Sequence, residues 1–526
     1  MVANGTTSTK SEKNEKIQAA TLDDAMLMAG LGVYNILHML LCGLILMGVI
    51  MQSLALGYVL PAAQCDLELT LHQRGWIAAI PFMAMILTGY FWGWLADTRG
   101  RRPVLLYSMM TSFILTVLVS FTPNMISFAV IQFLSAVFMS GSSAVAYTYL
   151  GEFNNLRHRD KMVAFGSSFV GIGTVVLPAI SWLILPLDFS YYIGFLDIYY
   201  RPWRLLVIAC GIPYAVSSLI MCFAPESPKF LTAAGRKEEV LEVMRTIYSV
   251  NYRMPKETFA VESIIVDKQA NTDHRVGMFR AIMISMKEQT LPLFKTPLVP
   301  WTLLTCFVQF GIFATTNGFY VWFPTILNSV VNHEGEPMRI CDVLAYKNNG
   351  NDTEVGCDDS MNTATFEQSI YIGLVFSSMY IIVGFLVDFI GKKLILIVVL
   401  SSTGLCGIAA NFAANTQLAV ILFAIFQMSG ACIGLMNAVA VELFPTKYRA
   451  MAVCLCMMLG RVGSMVGSNL IGIFLQTNCG LSFYIFGGLL IVNAAFCITL
   501  PNKKKDCCPA KEIVHEPAQN ETHEPV

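Results

Sequence analysis

The 526-residue chain is predicted to be an all-α membrane protein, with twelve transmembrane helices in two pseudo-symmetric six-helix halves. Three observations carry that prediction. Hydrophobic residues make up 55% of the chain and charged residues only 13%, against about 25% charged in soluble domains. Twelve apolar stretches recur, each near or above the roughly 20 residues that cross a bilayer core. A charged motif after the second stretch returns after the eighth, as expected of a duplicated six-span unit. A soluble protein with very hydrophobic buried helices is the weaker alternative.

Residues 1–37 are polar and rich in Ser, Lys and Glu. They are too long for the n-region of a usual signal peptide and read as a cytoplasmic tail. The N-terminal half, 38–223, carries stretches at about 38–60, 75–96, 103–121, 125–149, 162–186 and 203–223. A polar linker follows at 224–297, in which Lys237 to Tyr248 fits a short amphipathic helix. The C-terminal half, 298–500, carries stretches at about 298–323, 366–390, 394–413, 417–441, 451–475 and 480–500, with a long loop at 324–365. Residues 501–526 form a second tail.

Orientation follows from Lys and Arg in the short loops. Arg99, Arg101 and Arg102 separate spans two and three; Arg157, Arg159 and Lys161 follow span four; Lys392 and Lys393 separate eight and nine. Lys447 and Arg449 separate ten and eleven, and Lys503, Lys504 and Lys505 follow twelve. The opposite loops are poor in both, Arg74 and Arg201 excepted. Both termini are therefore expected in the cytoplasm, for a protein of the plasma membrane or of an intracellular vesicle. The loop at 324–365 then faces outward or into a lumen. There Asn351-Asp352-Thr353 is an N-glycosylation acceptor pattern, and Cys341 and Cys357 are placed to pair in an oxidising compartment. Cys65 and Cys479 form a second candidate bridge, and Cys507 and Cys508 are candidates for palmitoylation.

The repeated motif reads Gly93, Asp97, Gly100, Arg101, Arg102 in the first half and Gly384, Asp388, Gly391, Lys392, Lys393 in the second. Glycine permits close helix contact and a tight exit. The carboxylate can accept from a neighbouring helix N-terminus, and the basic pair can bind helix ends or lipid phosphates. Such a cluster is suited to latching one face of a rocking carrier, or simply to anchoring it at the interface. Glu152 ahead of Arg157 and Arg159, and Glu442 ahead of Arg449, repeat the pattern as gate or structural carboxylates.

Arg461 is the residue that speaks most directly to function. It lies roughly a dozen residues into a stretch beginning near Met451, about 18 Å along a helix, and no Asp or Glu lies near the middle of any comparable stretch. A buried cation without a buried anion needs another source of compensation. Its partner is expected to be either an anionic or strongly hydrogen-bonding solute, or carbonyls on spans seven, eight or ten. Gln52, Gln132, Tyr147, Gln309, Asn317, Tyr320, Gln427 and Asn437 are further candidates to line a cavity. The amides read a polar ligand in either sense; the alternative is that they bond to neighbouring helices. Gly460, Gly463 and Gly467 flank Arg461 and suit either moving or close-packed helices. No cysteine or histidine spacing suggests zinc, and no Walker pattern is present. No cofactor, nucleic-acid partner or enzymatic chemistry is expected.

These motifs resemble those of the major facilitator superfamily. Pro225-Glu226-Ser227-Pro228-Lys229-Phe230 after span six looks like the motif shared by its sugar, organic-ion and synaptic vesicle glycoprotein 2 groups. Tyr58-Val59-Leu60-Pro61, Tyr320-Val321-Trp322-Phe323-Pro324 and Glu442-Leu443-Phe444-Pro445-Thr446 with Arg449 draw the likeness closest to the synaptic vesicle glycoprotein 2 and organic ion transporter-related group. The resemblance implies a cavity between the halves, lined mainly by spans one, four, seven and ten. It implies alternating-access secondary transport of a small organic solute, by a chain working as a monomer among membrane lipids. Val49 and Gln52 stand where relatives often carry span-one acids, and Gln132 where many carry an arginine. Those departures weaken organic-cation transport and carboxylate-based proton coupling. They lend weight to the alternative of a non-transporting receptor or trafficking protein that kept the fold.

Overall fold

The computed structural model describes residues 18–155, 157–265, 290–332, 339–343, 361–413, 415–445 and 448–501, without the side chains of Asp160, Asp388, Thr416 and Ala450. Asn351, Cys357, Cys507 and Cys508 lie outside the described residues. Twelve helices among those described are long and apolar enough to cross a bilayer. In the first half they are Val33–Ala63, Leu71–Arg99, Arg101–Ser120, Met125–Glu152, Lys161–Ile184 and Pro202–Met221. In the second they are Val299–Val331, Thr363–Val387, Lys392–Ala410, Gln417–Leu443, Met451–Thr477 and Cys479–Ile498. They are called spans one to twelve below. Hydrocarbon offers backbone groups no partners, so each span closes its own hydrogen bonds. The ends are closed by side chains: Thr70 and Gln73 form a capping box at span two, and Asn124 and Ser127 do so at span four.

Two boundaries move from those expected of the sequence. Span one starts at Val33 rather than 38, because Asn35 is buried and donates to the Phe153 carbonyl (3.2 Å) and Asn154 (3.1 Å). Span seven runs through Pro324 to Val331, so the loop begins later than 324. Proline stops helices in water. In a membrane, ending the helix would expose more backbone than the single lost N–H does. Pro81, Pro178 and Pro213 sit inside helices in the same way.

Each half has its own core. Span seven packs so closely on span eleven that a β-carbon at Gly463 or Gly467 would collide with the Phe310 or Ala314 carbonyl. This glycine stripe therefore serves static packing within the second half, not sliding between halves. The halves meet elsewhere. Span five lies on span eight at Thr174 and Gly373, and span two on span eleven at Gly75 and Asn469. The end of span one meets spans seven and eight, where Tyr320, Val321 and Phe366 join a core cluster with Tyr58 and Leu60.

The linker face carries the N-terminal helix Leu22–Ala29 and the linker helices Pro228–Ala233 and Lys237–Tyr252. Asn251 ties them together, donating to the carbonyls of Ala29 (3.1 Å) and Gly30 (3.2 Å) and to Asn35 (3.0 Å). The opposite, loop face carries a hairpin pairing Tyr191–Ile193 with Ile198–Tyr200. There Arg201 pairs with Asp66 (2.7 Å), which accounts for one of the two exceptions to the Lys/Arg bias. Cys341 is bonded to Cys479, at the start of span twelve, rather than to Cys357. The alternative pairing of Cys65 with Cys479 is also excluded, although Cys65 is itself disulfide-bonded.

Candidate functional site

The charged motif is a pair of matched joints, one per half. In the first, Arg101 Nε lies 3.0 Å from Glu152 Oε2, without the alignment of a hydrogen bond; Arg102 donates to the Cys222 carbonyl (2.7 Å) at the end of span six. In the second, Lys392 meets Glu442 (2.7 Å), and Lys393 donates to the Leu500 carbonyl (2.5 Å) past the end of span twelve. The cations thus lie against the negative ends of helices. Both joints turn on a glycine, Gly100 at φ 103°, ψ 157° and Gly391 at φ 89°, ψ 150°. That region of backbone space is open essentially to glycine alone.

The carboxylate at a helix N-terminus is Glu226, not Asp97. Glu226 Oε1 accepts from the backbone N–H groups of Arg101 (2.9 Å), Arg102 (3.1 Å) and Ser227 (2.8 Å). Ser227 donates to Glu152 (2.5 Å) and also caps the helix that starts at Pro228. The Pro-Glu-Ser-Pro motif is thereby explained as the cap of span three. Asp97 pairs with Arg101 (2.8 Å) and its side chain is 71% exposed. Arg449 is half-buried with its Nε unpartnered. A β-carbon at Gly93 would touch nothing. The Asp388 side chain lies outside the description. Among the described residues, no ion pair of this cluster bridges the two halves.

On the loop face the halves are bound together. Arg74, 5% exposed, donates to Gln64 (3.1 Å) and to Thr325 of span seven (2.7 Å), and lies over the Trp322 ring at 5.5 Å. Tyr320 donates to the Thr174 carbonyl of span five (3.2 Å). These ties across the halves lie between mid-span and the loop face.

Arg461 lies between the halves at mid-depth, twelve residues past the start of its helix at Arg449 and so about 18 Å along it. Its Nη2 donates to Ser143 Oγ of span four (3.2 Å), and its Nη1 reaches the Met85 carbonyl of span two (3.4 Å). No carboxylate among the described residues faces it. Both partners belong to the first half, whereas the sequence pointed to carbonyls of spans seven, eight or ten. Both bonds are longer than the 2.7–2.9 Å usual for charge-assisted pairs, and a guanidinium has five N–H donors to place. Tyr147, on the same span as Ser143 and one turn nearer the linker face, is 37% exposed.

The amides divide. Gln309 donates to Asn437 (3.3 Å) and keeps a buried, unpartnered Oε1; Asn437 also donates to Met457 Sδ (3.2 Å). Asn317 donates to Ser464 (2.9 Å), one helical turn from Arg461. Gln52 accepts from Ser112 (3.2 Å) and leaves its Nε2 buried without a partner. Gln132 is half-buried. Gln427 is committed to structure: oriented to its neighbours, its amide donates to the Thr316 carbonyl and accepts from the Tyr320 N–H, both at 3.1 Å. Tyr320 is likewise committed to span five through its hydroxyl. Ser143, Gly89, Arg74 and Glu226 do not stand out in the sequence as site residues, since nothing in local spacing connects span two or four to Arg461.

Two six-helix halves joined toward one face, with a cation buried between them at mid-depth, give the fold of a membrane transporter. The profile of the Major Facilitator Superfamily matches residues 39–339 and 361–520, and the chain belongs to that family. It is 27% identical over 309 residues to mouse synaptic vesicle glycoprotein 2C, covering 56% of this chain and 42% of that protein. It is 25% identical over 340 residues to human synaptic vesicle glycoprotein 2B, covering 61% and 49%. Each match thus spans less than half of the relative. Among solved structures, the partially occluded inward-open xylose transporter XylE of E. coli superposes with a TM-score of 0.65 at 15% identity, covering 90% of this chain and 99% of that one. A bacterial homologue of the human lysosomal transporter Spinster, inward-facing and unoccupied, superposes at 0.59 and 15% identity, covering 89% and 97%. Among the described residues, no group of three or more His, Cys, Asp or Glu is placed to hold a metal.

Proposed function

We propose that the chain is a secondary transporter of a small organic solute bearing a negative charge, anionic or zwitterionic, working by alternating access. The observation that carries this is Arg461: a mid-depth cation facing the space between the halves, held only by two long bonds to neutral oxygens. A carboxylate there would satisfy the guanidinium better than either oxygen does. Tyr147, one turn along span four from Ser143, offers a ring face for the rest of the solute. Gln309, Asn437, Asn317, Gln52 and Gln132 supply donors and acceptors. The linker face is taken as cytoplasmic, on the Lys/Arg distribution.

The charged joints are gating elements in this reading. Here they brace each half separately; when the linker face closes, Asp97 and Arg449 are brought toward the opposite half. The chain acts as a monomer in its lipid, since one chain encloses the whole path. The test is counterflow in proteoliposomes against a panel of anions, zwitterions and cations. Uptake of anions or zwitterions that falls at least tenfold in Arg461→Ala is expected; intact protein that exchanges none of the panel would sink the transport reading.

A further inference from the structure

The partners of Arg461 form a shaped receptacle on the opposite half. Met85 and Gly89 are one turn apart on span two. In a helix the side chain at i+4 leans back over the carbonyl at i. Glycine at 89 leaves the Met85 carbonyl open, and its second lone pair takes the guanidinium. A β-carbon at 89 would stand 3.1 Å from Arg461 Nη1, tighter than ordinary van der Waals contact, so the group would have to draw back. The hydroxyl of Ser143 donates to the Ser140 carbonyl (3.0 Å), so its lone pairs are the side turned to Arg461. Ser140 Oγ borders the same notch, fully buried and without a partner. The receptacle contains no anion, so it holds the cation without neutralising it.

We propose that the Met85 carbonyl, the Gly89 notch and Ser143 form a berth on the first half that holds the second half's Arg461 in the cargo-free, linker-open state, and that the anionic group of the cargo draws Arg461 out of it. The inference rests on Arg461 reading the cargo and adds what the residue does when no cargo is bound. It ties the halves at mid-depth and competes with the solute for one cation. Binding energy is thereby coupled to release of an inter-half bond, which is how a ligand biases two conformations. Ser143 and Gly89 are positioning residues; they act through Arg461.

Cys454 provides a reporter that needs no ligand. It is exposed, on the same helix two turns before Arg461 and within electrostatic reach of Tyr90 and Asp97 on span two. Closure of the linker face covers it. The experiment measures N-ethylmaleimide labelling of Cys454, by peptide mass spectrometry, in the full chain in lipid nanodiscs. Wild type, Ser143→Ala, Ser143→Thr and Gly89→Ala are compared. Ser143→Ala and Gly89→Ala are expected to slow labelling at least threefold by emptying the linker-open state, with Ser143→Thr close to wild type. Wild-type labelling in both Ser143→Ala and Gly89→Ala overturns the berth. Benzoate is then titrated as a simple monocarboxylate. Half-saturation about threefold to tenfold lower in those two variants supports competition for the cation, and equal or higher half-saturation overturns it. An Arg461→Ala chain that binds benzoate as well as wild type instead rejects the anionic-cargo reading, and the berth then stands or falls on the labelling rates alone.

Discussion

Single residues decide the chemistry at two places. Replacing Arg461 by lysine keeps the charge but loses the planar fork that reaches two helices at once. Arg461→Lys is therefore expected to retain more anion uptake than Arg461→Ala, with a raised half-saturation, measured by counterflow, whereas Arg461→Ala falls at least tenfold. Gly100 and Gly391 share one backbone conformation but differ in surroundings. A β-carbon at 100 would drive Glu226 from the N-terminus of span three, while one at 391 would touch nothing. Both alanine variants carry backbone strain of about 1–3 kcal/mol. Gly100→Ala should lower the melting temperature in detergent clearly more than Gly391→Ala; equal shifts would mean the Glu226 cap is not worth its three bonds. The two glycines and Arg461 were legible in the sequence as special positions. The role of Glu226 was not, because two of its three acceptor bonds reach back 125 and 124 residues, to Arg101 and Arg102.

At the scale of elements, periodicity and length located all twelve spans, since apolar runs of bilayer length have few other fates in this composition. What the pattern misplaced were the ends. Pro324 read as a stop and is helix interior; Asn35 read as tail and is buried in span one. The pairing of Cys341 was also beyond the sequence. Disulfide choice depends on which helix end lies beneath the loop, and that is the start of span twelve. Non-reducing peptide mapping should recover a Cys341–Cys479 linked peptide, and Cys341 found joined to Cys357 would reject this arrangement. The glycines around Arg461 have also acquired a definite role: they seat span eleven on span seven, so alanine at Gly463 or Gly467 should impair folding rather than tune transport rate.

For the whole molecule, the two faces are unequal. The loop face is closed by Arg74, which links span two to Thr325, Gln64 and the Trp322 ring, while the charged joints on the linker face stay within their own halves. Arg74→Ala should shift the population toward a state open at the loop face. Spin labels at Glu68 and Asn332 would report this as a longer distance component; an unchanged distribution would show that the tie does not hold the gate. The solved transporters that superpose on the chain share its fold.

Membrane class, span number, internal duplication and the isolation of Arg461 from any acid in its own depth range were all determined by the sequence itself, because bilayer thickness and the cost of buried charge act on local composition. Which oxygens receive that arginine, which carboxylate caps span three, which cysteines join and which face is closed were decided only by the tertiary structure. Those contacts join residues up to 376 positions apart, and the geometry that pairs them exists only once the two halves have packed.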